Sequence, residues 1–298
     1  MESGLVQFVQ LVVTGLVLGS VYALVALGFV LIYKATGIIN FAQGEFVLLG
    51  AYLCLWVINQ FHLPFLVAFA LALGMMALFG IILERLALRP MIGEPIISII
   101  MLTIGLAAMI RAVVACFWGT QIRAFPQIFP QTPVHLGPII LSQVYLWTFG
   151  TTLVLLVICS LFFKYSRIGV IMRAVADDQQ AALSMGISVK KVFAISWSIS
   201  AVVSAIGGVL IGNINGINIS LAHFGLKVFP AVILGGLDSI PGAILGGFII
   251  GVLENLAGGY LDVYFGGNVK EVAPFVVLVI ILMIKPYGLF GTEEIERV

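Results

Sequence analysis

The 298-residue chain is 62% hydrophobic and 9% charged, with 33 glycines. That balance excludes a water-exposed globule of this size and predicts an all-α, polytopic transmembrane helix bundle, a single domain over residues 1–298 surrounded by membrane lipid. A formal net charge of +1 argues against nucleic acid as a partner.

The first span is expected over 5–33, a run without any charge. At about 1.5 Å per residue it reaches about 43 Å, so it must tilt, bend or emerge from a hydrocarbon core of about 30 Å. It has no basic start and is too long for a cleavable signal, and is expected to remain. Further spans are expected at 44–60, 64–83, 96–118, 141–163, 192–212, a short 226–237, 239–257 and 272–284, about eight to nine segments in all. Between the fourth and fifth lies a stretch, 119–140, holding Pro126, Pro130, Pro133 and Pro138. It reads as an extended extracytoplasmic loop. The loop 164–191 carries Lys164, Arg167, Arg173, Lys190 and Lys191, and the loop after 83 carries Arg85 and Arg89, against Arg123 alone in 119–140. Cytoplasmic loops hold the excess of Lys and Arg, so the first two are predicted inside. Counting onward places the C-terminus in the cytoplasm, and counting back places the N-terminus outside.

Two stretches interrupt the apolar pattern where membrane depth is expected. One spans Thr36 to Glu45 with Asn40, Gln43, Gly44 and Glu45; the other spans Gly235 to Gly242 with Gly235, Gly236, Asp238 and Gly242. Polar side chains and glycine beside apolar runs are the mark of discontinuous helices, which survive only inside protein or beside a watery cavity. The two also look alike, Asn40 preceding Gly44 as Asp238 precedes Gly242. Such matched breaks suggest an internal repeat with a translocation pathway near its axis, the polar residues touching substrate or the glycines acting as hinges. Arg111, well inside 96–118, is either a gate or a structural charge; Glu45, Asp238 and Glu254 are the other charges near the middle of spans.

Small residues recur every fourth position in three places: Gly15, Gly19 and Ala23; Ser196, Ser200, Ser204, Gly208 and Gly212; and Gly247, Gly251, Asn255 and Gly259. Such stripes let helix backbones approach closely, within one chain or across a dimer. Cys54, Cys116 and Cys159 lie in apolar runs and read as buried thiols. His62, His135 and His223 are isolated, and no metal-ligand spacing occurs. No nucleophile, base and orienter can be assembled, which argues against an enzyme. The phosphate-cradling pattern G-x-x-x-x-G-K-[ST] is also lacking, so no cofactor is expected in this chain and any ATP would be bound by partner subunits.

The segment Gly15 to Leu24, followed by Gly37-Ile-Ile-Asn40-Phe41-Ala42-Gln43-Gly44-Glu45-Phe46, resembles the N-terminal signature of permease subunits from branched-chain amino acid ABC importers. The loop Arg173 to Ile187 and the tail Lys285-Pro-Tyr-Gly-Leu-Phe-Gly291 are similar to the same family. The resemblance implies a half-channel in the cytoplasmic (inner) membrane of a prokaryote. It would pair with a second related permease in a heterodimer or homodimer, bind two cytosolic ABC ATPase subunits and receive substrate from an extracytoplasmic substrate-binding protein. It also implies that Arg173, Asp177, Asp178, Gln180, Ala181, Ala182, Met185 and Gly186 form the ATPase-coupling segment, with Gln180 where the family usually has Glu and without its Leu-Pro pair. An ordinary amphipathic interfacial helix is the plainer reading of that segment. Relatives carrying urea, amides or aromatic acids look alike, but a largely apolar route suits Leu, Ile or Val better than a sugar, whose hydroxyls need many partners. An ion-coupled secondary carrier or channel for a small solute is the alternative, since it too would use broken helices.

Overall fold

A computed structural model describes residues 2–126, 132–137 and 139–291. Pro130, Pro138 and the tail beyond 291 lie outside the described residues. Apolar, charge-poor runs become the long helices α1 (Glu2–Thr36), α2 (Gln43–Phe61), α3 (Phe65–Leu83), α4 (Ile96–Trp118), α5 (Gln143–Tyr165), α8 (Val189–Asn215) and α10 (Ile240–Tyr260). Pro64 and Pro95 stand immediately before α3 and α4, where a missing amide hydrogen breaks no helical bond. Between the long elements lie α6 (Arg167–Asp177), α7 (Gln179–Ser184) and α9 (His223–Gly235), and after the last of them come α11 (Asp262–Phe265) and α12 (Val269–Ile284).

The polytopic helical architecture is as expected, and three details differ. Among the described residues seven helices are long and apolar enough to cross a membrane, beside the about eight to nine segments expected. The segments expected at 226–237 and 272–284 are α9 and α12, of 13 and 16 residues. At about 1.5 Å per residue they reach about 20 and 24 Å, short of a core of about 30 Å. Second, the helix begun at Phe65 does not stop at 83. A π-helical turn over Glu84–Leu88 and a 3-10 turn over Arg89–Met91 prolong it, and buried Glu84 takes a two-point contact from Arg89. Third, the all-α reading omits a short antiparallel hairpin, β1 (Pro133–Leu136) with β2 (Ile139–Ser142), in register Pro133↔Ser142. Pro133 opens its strand, a position where the ladder tolerates proline, and strands of four residues are too brief to reveal an alternation.

The chain divides into two compact units that do not follow its sequence halves: Met1–Ala26, Phe129–Leu156 and Lys227–Val298 form one, Leu27–Ile128 and Val157–Leu226 the other. In the first unit the stripe of α1 lies against that of α10. A methyl group on Gly247 would collide with the backbone of Ala23, and one on Gly251 with that of Gly19. In the second unit α8 packs on α2 and α3. A methyl on Gly50 would strike Ala205, one on Gly208 the carbonyl of Val47, and one on Gly80 the backbone at Trp197. Without a hydrophobic force between helices in lipid, this close backbone approach and its dispersion contacts hold the bundle. Phe46 is wedged edge-on between Phe79 and Trp197. The outward faces of α3, α4 and α5 carry exposed Leu71, Leu78, Met101, Val113, Val154 and Val157, surface suited to hydrocarbon. Cys116 is exposed on the same kind of face and Cys159 is half-buried, whereas Cys54 is fully enclosed.

Candidate functional site

Helix α1 ends at Thr36, Gly37 adopts φ +70°, and the chain turns through Asn40 into α2. The turn is held from within: Asn40 Oδ1 accepts from the Ala42 amide at 3.0 Å, and Asn40 Nδ2 donates to Gln43 Oε1 at 3.0 Å. Gln43 Nε2 donates to Ser200 Oγ at 2.9 Å and to Ser204 Oγ at 2.6 Å, in the middle turns of α8. Ser200 Oγ in turn donates to the carbonyl of Gly28 at 2.8 Å. Asn40, Gln43, Ser200 and Ser204 are all enclosed. Unwound backbone at the level of a spanning helix's midpoint is thus satisfied by protein, as a dry environment requires.

The residues next along the chain face a different setting. Glu45, 2% exposed, accepts from Arg111 Nη2 at 2.5 Å, so the charge in α4 is paired across to the first turn of α2. A carboxylate there also meets the positive end of the helix dipole. Gly44, Glu45 and Arg111 line a cavity of about 160 Å³ whose other walls include Phe41, Ile104, Ala107 and Leu226. Gly44 sits so close to the backbone of Ala222 and Gly225 that no side chain fits there. The first break therefore has two parts: Asn40 and Gln43 lock the turn, and Gly44 and Glu45 border open space.

The second break is built from backbone. Gly235 and Gly242 touch so closely that a methyl on either would strike the other's carbonyl, and Ser239 caps α10 by accepting from the Gly242 amide at 3.1 Å. Gly236 has φ +104°, a conformation that favours glycine. The tail folds onto this corner: the amide of Leu289 donates to the Leu234 carbonyl at 2.8 Å and that of Phe290 to the Gly235 carbonyl at 3.1 Å. Asp238 stands half-buried near Gly291. Two motifs noted separately in the sequence, the break and the Lys285–Gly291 tail, are one structure. Its chemistry differs from that of the first break, which rests on buried amide and hydroxyl groups.

One charged cluster escaped the sequence reading. Tyr22 of α1 donates to Glu254 Oε2, while Lys227 Nζ reaches Glu254 Oε1 at 3.2 Å and Glu271 Oε1 at 2.6 Å, tying four helices together. The bonded partners lie up to 232 positions apart in the chain, and only the isolated charge of Glu254 within a span signalled that a partner was needed.

In the 164–191 segment Ser166 caps α6 by accepting from Gly169, and Arg173 donates through Nη1 to the Phe163 carbonyl and through Nη2 to that of Lys164 at 3.2 Å. α6 is thereby clamped to the end of α5. Asp177 ends α6, and Asp178 starts α7, its Oδ1 accepting from Gln180 and Ala181 amides at 2.8 and 2.9 Å. Gln180, Ala181, Met185 and Gly186 are exposed, Met185 to 82%, whereas Ala182 is buried. Along α8, Ser200 and Ser204 bind Gln43, Gly208 admits Val47, and Gly212 meets the side chains of Ile217 and Phe125. Gly15 and Gly19 lie on the backbone of α10.

Known proteins resemble this chain over most of its length. The profile of the family described as branched-chain amino acid transport system / permease component matches residues 11–284. The high-affinity branched-chain amino acid transport system permease protein LivH of Escherichia coli K12 is 32% identical, with 100% of each chain covered. BraD of Pseudomonas aeruginosa, whose name describes the same kind of permease, is 32% identical over 98% of each. Among solved structures, PsaBC from Streptococcus pneumoniae in complex with Fab matches with a TM-score of 0.51 at 13% identity, covering 92% of this chain and 91% of that one; this likeness concerns the fold alone. Full-length similarity at this identity, on a multi-pass helical chain, leads to one conclusion: the protein belongs to the family of permease components of branched-chain amino acid transport systems.

Proposed function

We propose that this permease subunit imports branched-chain aliphatic amino acids across the cytoplasmic membrane, beside a second related permease, on energy supplied by two cytosolic ATPase subunits. An extracytoplasmic binding protein delivers the substrate, the N-terminus faces outward and the C-terminus faces the cytoplasm. The observation that carries this reading is the α6–α7 elbow. Its exposed end, Leu183 and Met185, offers apolar contact to a soluble partner, and Arg173 joins it stiffly to α5. A push on the elbow is transmitted to a membrane helix rather than absorbed in a loop. The names of the full-length relatives support the substrate class, and the cavity beside Glu45 has mostly apolar walls.

The test is reconstitution. The chain, purified with whatever chains accompany it from its native membrane and identified by mass spectrometry, is placed in proteoliposomes and given labelled leucine, isoleucine or valine. Uptake that requires ATP and the co-purified ATPase is expected. Uptake by this chain alone, driven by a proton or sodium gradient, would overturn the proposal in favour of a secondary carrier.

A further inference from the structure

We infer that Glu45 and Arg111 form a recognition site for the zwitterionic head of an amino acid, with the apolar walls of their shared cavity receiving its side chain. The inference rests on the proposed import of amino acids and adds to it the chemistry by which the permease itself selects its cargo.

The pair is built unlike a structural bridge. Elsewhere in the same unit Arg89 grips Glu84 through two parallel contacts, Nε to Oε1 at 3.2 Å and Nη2 to Oε2 at 2.8 Å, which is the geometry that uses an arginine fork fully. Arg111 touches Glu45 through a single nitrogen. Its Nε has no hydrogen-bond partner although it is buried, and the contact on Glu45 is made at Oε1, which leaves Oε2 outside the bridge. Donors and acceptor are therefore left over on both partners, and both line one cavity. Arg111 is reachable, with 38% of its side chain exposed, while Glu45 is held at 2%.

Spare valence of both signs at one cavity fits a ligand carrying both signs. An α-ammonium group can take the free acceptor of Glu45, and an α-carboxylate can take the remaining donors of Arg111. The side chains of Phe41, Ile104, Ala107 and Leu226 then offer carbon to the rest of the molecule, the pattern of a small-molecule site with few placed polar groups in a mostly apolar pocket. The site also selects by charge count. Glu45 and Arg111 cancel, so a net-neutral zwitterion leaves the cavity neutral, whereas a dicarboxylate or a diamine would bring an uncompensated charge into it, which is costly at low dielectric.

The experiment reads occupancy without the binding protein. Cys54, Cys116 and Cys159 are replaced by Ser, Ala107→Cys is introduced, and the assembled importer in lipid nanodiscs is labelled with a small hydrophilic methanethiosulfonate. Leucine is expected to slow labelling severalfold, while 4-methylpentanoate, lacking the ammonium, and 3-methylbutylamine, lacking the carboxylate, leave the rate unchanged. Glu45→Gln and Arg111→Gln each abolish protection by leucine, and Glu45→Asp retains part of it, which a merely structural bridge would not produce. Equal protection by all three compounds, undiminished protection in Glu45→Gln, or absence of labelling in every nucleotide state would overturn the site. ATP-driven uptake of leucine by the unsubstituted importer reports separately on the import reading, so transport without protection removes the site and leaves the function standing.

Discussion

Lys227 shows how much a single side chain holds in this chain. It stands between Glu254 and Glu271, and Glu254, 6% exposed, depends on it and on Tyr22 for compensation. Removing the ammonium leaves a carboxylate nearly enclosed with one hydroxyl as its partner. Breaking such a pair costs about 3–5 kcal/mol, so Lys227→Met is expected to lower the unfolding midpoint in detergent markedly. The paired change Lys227→Met with Glu254→Gln removes both charges, and neighbours in one network are not additive. The double variant should therefore be more stable than the single one, and thermal unfolding of all three proteins decides. A double variant less stable than Lys227→Met would show that the cluster does not work as a charge pair. Gln43 illustrates the neutral counterpart. Its amide bonds Asn40, Ser200 and Ser204 at once, which is how a polar group survives beneath apolar helices.

At the scale of elements, the contact of α1 with α10 rests on glycine. The methyl of any residue at 247 would meet the backbone of Ala23, which no rotamer can avoid, so the helices must part. Overpacking of this kind costs about 1–3 kcal/mol. Gly247→Val is expected to lower the melting temperature of the detergent-solubilised protein, while Gly105→Val, at a glycine in α4 with open space around it, leaves it near the unsubstituted value. Equal effects would mean that close approach is not what the stripe provides. The elbow yields a second expectation. Met185 is 82% exposed and belongs to no packed core, so Met185→Asp should leave the fold and membrane insertion unchanged. It should strip the ATPase from the permease during purification and abolish substrate-stimulated ATP hydrolysis, because a carboxylate in an apolar contact must shed its water. Retention of the ATPase at the normal ratio would assign docking to other residues.

For the whole molecule, solvent and periodicity decided how much could be read from the chain alone. Long apolar runs gave the seven long helices, and a rise of four residues between small side chains gave the surfaces that touch, but not which stripe faces which. That Gly15 and Gly19 meet Gly247 and Gly251 depends on the path of every helix between them. The partners of Gln43 lie up to 161 residues away, and no local pattern marks Ser200 and Ser204 as acceptors rather than packing residues. Lys227 falls at the start of the expected span 226–237, and no local pattern shows that it joins Glu254 to Glu271. Charge in the loops, by contrast, is a property of the chain read in order, and it makes a prediction about the assembled protein in its membrane. Ile122 comes after α4, Met185 precedes α8, and among the described residues α5 (Gln143–Tyr165) is the one long apolar helix between them. With the basic 164–191 segment inside, a crossing by α5 puts Ile122 outside. Single cysteines, Ile122→Cys and Met185→Cys in a background without native cysteine, are therefore expected to divide. In intact cells a membrane-impermeant maleimide should label the first and not the second, and in inside-out vesicles the second and not the first. Labelling of both from one side would mean that α5 returns to the face it left, and the cytoplasmic assignment of the elbow would fall with it.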